Sequence, residues 1–407
     1  MKLGARNFFL AAFSCVAAVT LVVPIPGAHA QVGTSDDLKA VYATPADIAE
    51  GKRLARTSCA QCHGLEGIST SKGVPHIAAQ RPGYMLVELR AYQKGIRKDT
   101  PMTASVKFLS DDALVKVTAY YSSLDPASPS PARSAKSSPA LRDPVQAGKE
   151  AAAACSGCHG DGGFSTTPGM PSLVGFDPKY FVATLKAYKS GQRKSDMMKS
   201  FVEAMSEADM ENMALYYGLQ KPPTQKEVAL NASQTAGKAA SAACDGCHGS
   251  GGVSSSPANP SIAGQEPQYF ITAMQSYKAG TRTDEAMKGV AAALDDKTIK
   301  DLAAFYASQQ AKRPKVAKPL SIGEWAQRCD RCHGVNGNSA DPMTSALAAQ
   351  RADYLEEVLH AYRTKARSSP AMAAMAASLT ASDVVNISAY YSQQKPRAFV
   401  FMPVPAK

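Results

Sequence analysis

Eight cysteines fall into four copies of one short motif, C-x-x-C-H, and a glycine follows each copy. This motif is typical of covalent attachment of a c-type haem: the two thiols bond the haem, and the adjacent histidine is an axial ligand of its iron. Four copies, with only Cys15 outside them, predict four such sites. The motifs are Cys59-Ala-Gln-Cys62-His63, Cys155-Ser-Gly-Cys158-His159, Cys244-Asp-Gly-Cys247-His248 and Cys329-Asp-Arg-Cys332-His333.

The sixth ligand of each iron has few candidates. Outside the motifs and the first thirty residues, the chain has two histidines, His76 and His360, so at most two haems could have two histidine ligands. His76 takes the place of Ser172 and Ser261 in the other copies, and His360 occupies a solvent-facing helix position. We expect neither to bind iron. Cysteine is excluded, because the motifs use every cysteine beyond residue 30.

A methionine stands 43 residues after the first cysteine of every motif. The methionine thioether favours reduced haem iron and raises its potential. A single methionine near an apolar face would be core filler, but four at one offset predict a ligand. Met197 and Met375 lie close enough to remain alternatives in their copies. The predicted axial methionines are Met102, Met198, Met287 and Met372.

Further residue types keep fixed offsets from the first cysteine, without insertions, so the chain contains four copies of one unit. We expect the tyrosines to form the walls of a haem pocket. The recurring residues are Tyr84, Tyr180, Tyr269 and Tyr354 at +25; Tyr92, Tyr188, Tyr277 and Tyr362 at +33; Arg97, Arg193, Arg282 and Arg367 at +38; and aromatic pairs that begin at 120, 216, 305 and 390.

Helices are the predicted secondary structure around these residues. Ser206-x-x-Asp209 and Thr380-x-x-Asp383 have the spacing of a helix capping box, and apolar residues after Leu114 recur at helical spacing. No alternating strand pattern competes. The prediction is an all-α fold of four tandem domains, each a small helical domain around one covalent haem. Units of this size bury little core of their own, so the haem would be their apolar centre.

Proline-rich stretches separate the copies, and the long first linker favours a first domain that stands apart from the others. Residues 397–407 form an apolar tail that could dock to a partner or a membrane, or pack on the fourth domain. The predicted segments are domain 1 at 31–125, a Pro/Ser/Ala-rich linker at 126–143, domain 2 at 144–222, domain 3 at 233–311, a linker at 312–319 and domain 4 at 320–396.

The first thirty residues read as a targeting segment. Lys2 and Arg6 precede an apolar stretch over residues 8–24, and Ala28-His29-Ala30 has the form of a cleavage site. This pattern predicts a signal peptide cleaved after Ala30 and a periplasmic protein, with an uncleaved anchor as the alternative. Exported cysteines meet an oxidising compartment, where free thiols do not persist, which agrees with haem attachment.

The repeat resembles the class I cytochrome c domain, and most of all the tandem di-haem, high-potential bacterial cytochromes c. The resemblance implies that Pro75, Pro171 and Pro260 lend a carbonyl oxygen to the ring N–H of the axial histidine, which fixes the ring. The fourth copy departs from the pattern, with Ser345 at the proline position and Lys365 at a glycine position. The matching strings are Pro260-Ser-Ile-Ala-Gly264-Gln265, Tyr269-Phe, Ala279-Gly-Thr-Arg282, Met287 and Phe305-Tyr306.

These observations predict an electron carrier rather than an enzyme, and no catalytic residue is assigned. Four His/Met-ligated haems would pass single electrons from a dehydrogenase or cytochrome complex to a terminal oxidase or reductase. The alternative is a peroxidase-like haem enzyme, or a cytochrome subunit of a dehydrogenase or oxidase complex, with an open iron in domain 4.

The net charge of +11, taken alone, would suggest a nucleic-acid or membrane partner. The basic residues are scattered, however, and the propionates of four haems offset much of the charge. We therefore expect redox proteins as partners, no nucleic acid, and membrane contact only through partners or the tail.

Overall fold

The computed structural model describes residues 42–131, 143–226 and 228–400, and within these ranges it contains helices and no β-strand. The all-α prediction is confirmed. The predicted signal peptide, most of the first linker and residues 401–407 of the tail lie outside the described residues. No helix in the described part of the chain is both long and apolar enough to cross a membrane.

The four domains repeat one succession of helices: an N-terminal helix, a turn of helix that carries the motif, a helix near the +25 tyrosine, a short helix with the methionine, and a C-terminal helix. In domain 4 the first two form one continuous helix. The helices are α1 Pro45–Ser58, α2 Ala60–His63, α3 Pro82–Gln93, α4 Thr100–Val106 and α5 Asp111–Ser122; α6 Pro144–Ala152, α7 Ser156–His159, α8 Pro178–Ser190, α9 Asp196–Val202 and α10 Glu207–Leu219; α11 Ala232–Ala240, α12 Asp245–His248, α13 Pro267–Lys278, α14 Glu285–Ala292 and α15 Asp296–Ser308; α16 Ile322–His333, α17 Ala352–Arg363, α18 Pro370–Ala376 and α19 Ala381–Ser392.

The C-terminal helices begin where local side chains cap them. Ser206 accepts a hydrogen bond from the backbone N–H of Asp209, whose carboxylate in turn accepts from the Ser206 N–H, and Thr380 and Asp383 form the same box. Both predicted capping boxes are confirmed. Such caps satisfy N–H groups that the first helical turn leaves without a partner.

The N-terminal helix of domains 1, 2 and 3 crosses the C-terminal helix at a glycine. A Cβ atom built on Gly51, Gly148 or Gly237 would lie 2.0 Å from a carbonyl oxygen of the facing helix, so another residue does not fit there. In domain 4 a large side chain lies between the corresponding helices, α16 and α19. Trp325 is 5% exposed, and its Nε1–H donates to Asp383 Oδ1 at 2.9 Å.

The domains pair as 1 with 4 and 2 with 3, so the second pair lies in the chain between the halves of the first. The expectation that domain 1 stands apart is therefore wrong. The first linker starts along domain 4, where the Ser130 N–H donates to the Ser392 carbonyl at 2.8 Å and Ala127 is buried. Because the linker that leads from domain 1 to domain 2 begins along domain 4, its length does not imply that domain 1 is separate.

Domains 2 and 4 join the two pairs. The Ala381 N–H, at the start of α19, donates to Glu211 Oε2 at 2.6 Å. Arg363 Nη2 lies 3.3 Å from Glu207 Oε2. These contacts give the domains the spatial order 1, 4, 2, 3.

The first residues of the tail pack on domain 4, one of the two alternatives. The Arg397 N–H donates to Asn338 Oδ1 at 2.7 Å. The guanidinium of Arg81, from domain 1, lies 5.9 Å from the centre of the Phe399 ring. Val400, at the end of the described chain, is 81% exposed.

Candidate haem sites

The histidine of each motif is held by a main-chain carbonyl at offset +16. Since a carbonyl oxygen can only accept, the histidine Nδ1 carries the proton, and Nε2 keeps the lone pair that an iron ligand requires. The Nδ1–oxygen distances are 3.1 Å for His63–Pro75, 2.8 Å for His159–Pro171, 2.8 Å for His248–Pro260 and 2.9 Å for His333–Ser345.

Domain 4 keeps this geometry despite its sequence departures. The acceptor is the backbone carbonyl of Ser345, so proline is not needed, and the Ser345 hydroxyl also lies 3.4 Å from the His333 Nδ1. Lys365 has φ of 62°, in the left-handed region occupied by Gly95, Gly191 and Gly280. The departures at Ser345 and Lys365 therefore leave the backbone geometry of domain 4 unchanged at these two positions.

Burial lowers the pKa of three of these histidines, namely His63, His159 and His333. A lowered pKa keeps the imidazole neutral, which is the form that binds a metal ion.

The first cysteine of each motif packs against the domain core, and burial raises the pKa of the Cys59 thiol to about 11. Burial also raises the pKa of the thiols of Cys155, Cys244 and Cys329. Thiol–disulfide and nucleophilic chemistry need an accessible thiolate with a lowered pKa, so these cysteines do not suit it. No described cysteine forms a disulfide.

Each methionine at +43 occupies the same position, the third residue of a short helix. There its backbone N–H donates to the capping side chain, which is Asp99, Ser195, Asp284 or Ser369. All four methionines pack against the core of their domain. Met197 is 50% exposed, which favours Met198 in domain 2. Met375 also packs in the core, but it lies a turn beyond the shared position.

The two other histidines lie elsewhere. His76 Nδ1 accepts the Ser69 N–H at 3.0 Å, the role that the hydroxyl of Ser172 plays for Ser165. His360 is exposed on α17. Within the described ranges, no cluster of three or more His, Cys, Asp or Glu side chains could hold a separate metal ion.

The tyrosines and arginines have a role at the domain interfaces that the sequence analysis missed. In every domain the +38 guanidinium lies 4.5–5.0 Å from the centre of the +33 tyrosine ring. The arginine also reaches across the pair. Arg193 donates to the Tyr269 hydroxyl at 2.7 Å, Arg367 to Tyr84 at 3.1 Å, and Arg97 to Tyr354 at 3.3 Å. The fixed offsets of these tyrosines and arginines indicated that they have a shared role, but an offset within one domain does not reveal a contact with another domain.

Only the 1–4 pair adds a carboxylate to this cluster. Glu88 lies between two arginines, 2.5 Å from Arg97 and 2.9 Å from Arg367. The corresponding positions in the other domains are Thr184, Ala273 and Val358. Burial lowers the pKa of Arg367, but interaction with Glu88 and three tyrosines together outweighs it and raises the pKa, so this guanidinium stays charged at the interface.

Each domain therefore offers two thiols, an imidazole whose Nδ1 is held by a carbonyl, and a half-buried thioether at matching positions. This donor set fits a c-type haem whose iron has nitrogen and sulfur axial ligands.

Comparison with known proteins agrees. A family model described as Cytochrome c matches residues 48–125. Cytochrome c4 of Azotobacter vinelandii is 30% identical over 180 residues, 39% of this chain and 86% of the relative. The thiosulfate dehydrogenase electron acceptor of Thiomonas intermedia is 31% identical over 189 residues, 44% of this chain and 85% of the relative. The crystal structure of reduced recombinant cytochrome c4 from Pseudomonas stutzeri matches with 28% identity, 41% of this chain, 98% of that chain and a TM-score of 0.38.

Proposed function

The chain belongs to the class I cytochrome c family, is related to its tandem di-haem members, and carries four covalent haem c groups. On this premise we propose that it is a periplasmic tetrahaem electron carrier with His/Met ligation of all four irons. The observation that supports the proposal is the complete donor set of every domain. If the histidine and the methionine of each domain both bind its iron, the protein would leave no iron position for a substrate.

When bound, the haem supplies one-electron redox chemistry; the protein holds and tunes it. Each motif histidine presents Nε2 because its Nδ1 is held by a carbonyl. The half-buried thioether of the +43 methionine would favour reduced iron and so raise the potential.

The proposed donors and acceptors are redox proteins that dock weakly, a dehydrogenase or cytochrome complex on one side and a terminal oxidase or reductase on the other. A relative named as the electron acceptor of thiosulfate dehydrogenase supports a dehydrogenase as the donor. The same name supports a second role, as the cytochrome subunit of a dehydrogenase complex.

We propose further that electrons move in the spatial order of the domains, 1, 4, 2, 3, instead of the sequence order. Contacts within each pair and between domains 2 and 4 support this path. Domains 1 and 3 would then be the two ends at which partners dock.

The first test is a redox titration of the purified holoprotein with optical and paramagnetic resonance spectra. The expected result is four low-spin haems with the charge-transfer band of methionine-ligated ferric iron and no binding of carbon monoxide. A native high-spin fraction of about one haem in four would instead support the enzyme alternative.

Adjacent methionines provide a matched pair of variants. Met198→Ala is expected to open one iron, make about a quarter of the haem high-spin and allow carbon monoxide to bind. Met197→Ala, at the exposed neighbour, should leave the spectra unchanged. The opposite pattern would assign Met197 as the ligand, and no change in either variant would contradict methionine ligation in domain 2.

A further inference from the structure

The hydrogen bond from the axial histidine continues across the domain interface. In domain 1, His63 donates to the carbonyl of Pro75. The N–H at the other end of that peptide group belongs to His76, and it donates to Oε1 of Gln350 in domain 4 at 2.8 Å. One peptide group thus links the axial histidine of domain 1 to a side chain of the paired domain.

The same arrangement occurs in two more domains. In domain 4, His333 donates to the carbonyl of Ser345, and the N–H of the same peptide group, from Ala346, donates to Gln80 Oε1 at 2.8 Å. In domain 2, His159 donates to the carbonyl of Pro171, and the N–H of that peptide group, from Ser172, donates to Gln265 Oε1 at 2.7 Å.

Each glutamine is fixed in place. The glutamine Oε1 accepts the N–H of one residue, and the glutamine Nε2 donates to the carbonyl of that same residue. The Nε2–oxygen distances are 2.8 Å for Gln350, 3.0 Å for Gln80 and 3.1 Å for Gln265. All three side chains are buried, with 6–8% exposed. The pairing of both amide atoms holds Oε1 on the peptide N–H.

Domain 3 is the exception. The glutamines stand 21 residues after the first cysteine, and in domain 2 this position is Phe176. Its side chain has no hydrogen-bonding atom, so domain 2 offers no glutamine oxygen to the N–H of Ser261. His248 still donates to the Pro260 carbonyl, but that peptide group lacks the link to the paired domain.

We propose that Gln80, Gln265 and Gln350 each tune the potential of the haem in the paired domain. An acceptor on the peptide N–H polarises the peptide group and makes its carbonyl a stronger acceptor, because hydrogen bonds in a chain strengthen one another. A stronger acceptor raises the basicity of the histidine ligand and favours ferric iron. The glutamine therefore lowers the potential, and the haem of domain 3 lacks this effect. The inference rests on the proposed electron-carrier function.

The test compares two substitutions of similar size in the full-length holoprotein. Gln265→Met removes the acceptor, and we expect a rise in the potential of the domain 2 haem. The expected change is up to about tenfold in its oxidised-to-reduced ratio, the effect of a typical hydrogen bond, or 59 mV for one electron. Gln265→Glu keeps an acceptor, adds negative charge and should lower the potential. A loosened interface would move both variants in the same direction, which would overturn the proposal.

A substitution of Phe176, which takes the place of the glutamine in domain 2, gives an independent test. Phe176→Gln should give the Ser261 N–H an acceptor and lower the potential of the domain 3 haem alone. The control Gln309→Met changes a glutamine that bonds within its own domain, to the Phe305 carbonyl, and should leave all four potentials unchanged. Repeating the titration with Met198→His, which replaces the methionine ligand, identifies the domain 2 haem.

The outcomes separate the two proposals. If the native protein titrates reversibly but neither Gln265 variant shifts a haem, the tuning role fails and the electron-carrier function stands. If the native protein does not exchange single electrons reversibly, the proposed function itself fails.

Discussion

Gly237 lies where α11 and α15 of domain 3 come closest, and Gly237→Ala tests how tightly this fold depends on the crossing. The added Cβ would lie 2.0 Å from the Asp301 carbonyl oxygen and 2.8 Å from Phe305 Cβ, whereas ordinary contacts begin at 3.4 Å. The helices would have to separate by about 1.4 Å at this point. The separation would also strain the hydrogen bond of 2.5 Å from the Ser233 hydroxyl to Asp301.

The expected loss of stability is about 2–3 kcal/mol, the upper part of the range for overpacking, because a backbone oxygen cannot rotate away. The higher helix propensity of alanine stabilises the helix by only about 1 kcal/mol, which is less than the cost of the clash. The matched control is Gly289→Ala in α14, an exposed position of the same domain where the Cβ would meet nothing within 4 Å. We expect it to stabilise the domain by about 0.5–1 kcal/mol.

The assay is urea unfolding of the ferric holoprotein, followed by the charge-transfer band of methionine-ligated iron. The four domains need not unfold together, so the component lost in a Met287→Ala background identifies domain 3. With a slope of about 2 kcal/mol per molar urea, the Gly237→Ala midpoint should fall by about 1 M. An unchanged midpoint, or a fall of equal size in Gly289→Ala, would refute the close-crossing argument.

Three further substitutions test other features. Lys365→Gly should stabilise domain 4 by about 1 kcal/mol in urea unfolding, because lysine is strained at positive φ; a loss of stability would contradict this. Glu88→Gln leaves Arg97 and Arg367 without their carboxylate and should weaken the 1–4 interface by about 2–3 kcal/mol, somewhat less than a fully buried pair. Faster hydrogen exchange at the Gly73 and His76 amides would show it, and unchanged exchange would count against it. Burial raises the pKa of Glu211, so its contribution to the 2–4 contact is complete in acid and is lost as the pH rises through that raised pKa. Glu211→Gln keeps an acceptor for the Ala381 N–H and should remove this pH dependence, measured by exchange of that amide; a retained dependence would reject the assignment.

Much of the fold could be predicted from the sequence because it depends on residues that are close together in the chain. The capping boxes at Ser206 and Thr380 involve residues three apart, so spacing alone located two helix starts. The offset of +43 placed four methionines at one helix position, although their ligation of iron remains a prediction. The departure at Ser345 does not remove the histidine hydrogen bond, because the backbone carbonyl makes that contact and a side-chain change leaves it in place.

The chemistry of each unit follows from local sequence: thiols, imidazole and thioether stand at fixed offsets in a helical domain that is repeated four times. Which units meet depends on the folded chain. Arg97 and Tyr354, which join domains 1 and 4, are 257 residues apart, and no periodicity relates them. The glutamines at +21 look like ordinary repeat residues until the pairing places each beside the peptide group of another domain. Interfaces depend on complementarity between surfaces that are remote in the chain, whereas motifs and caps depend on neighbours.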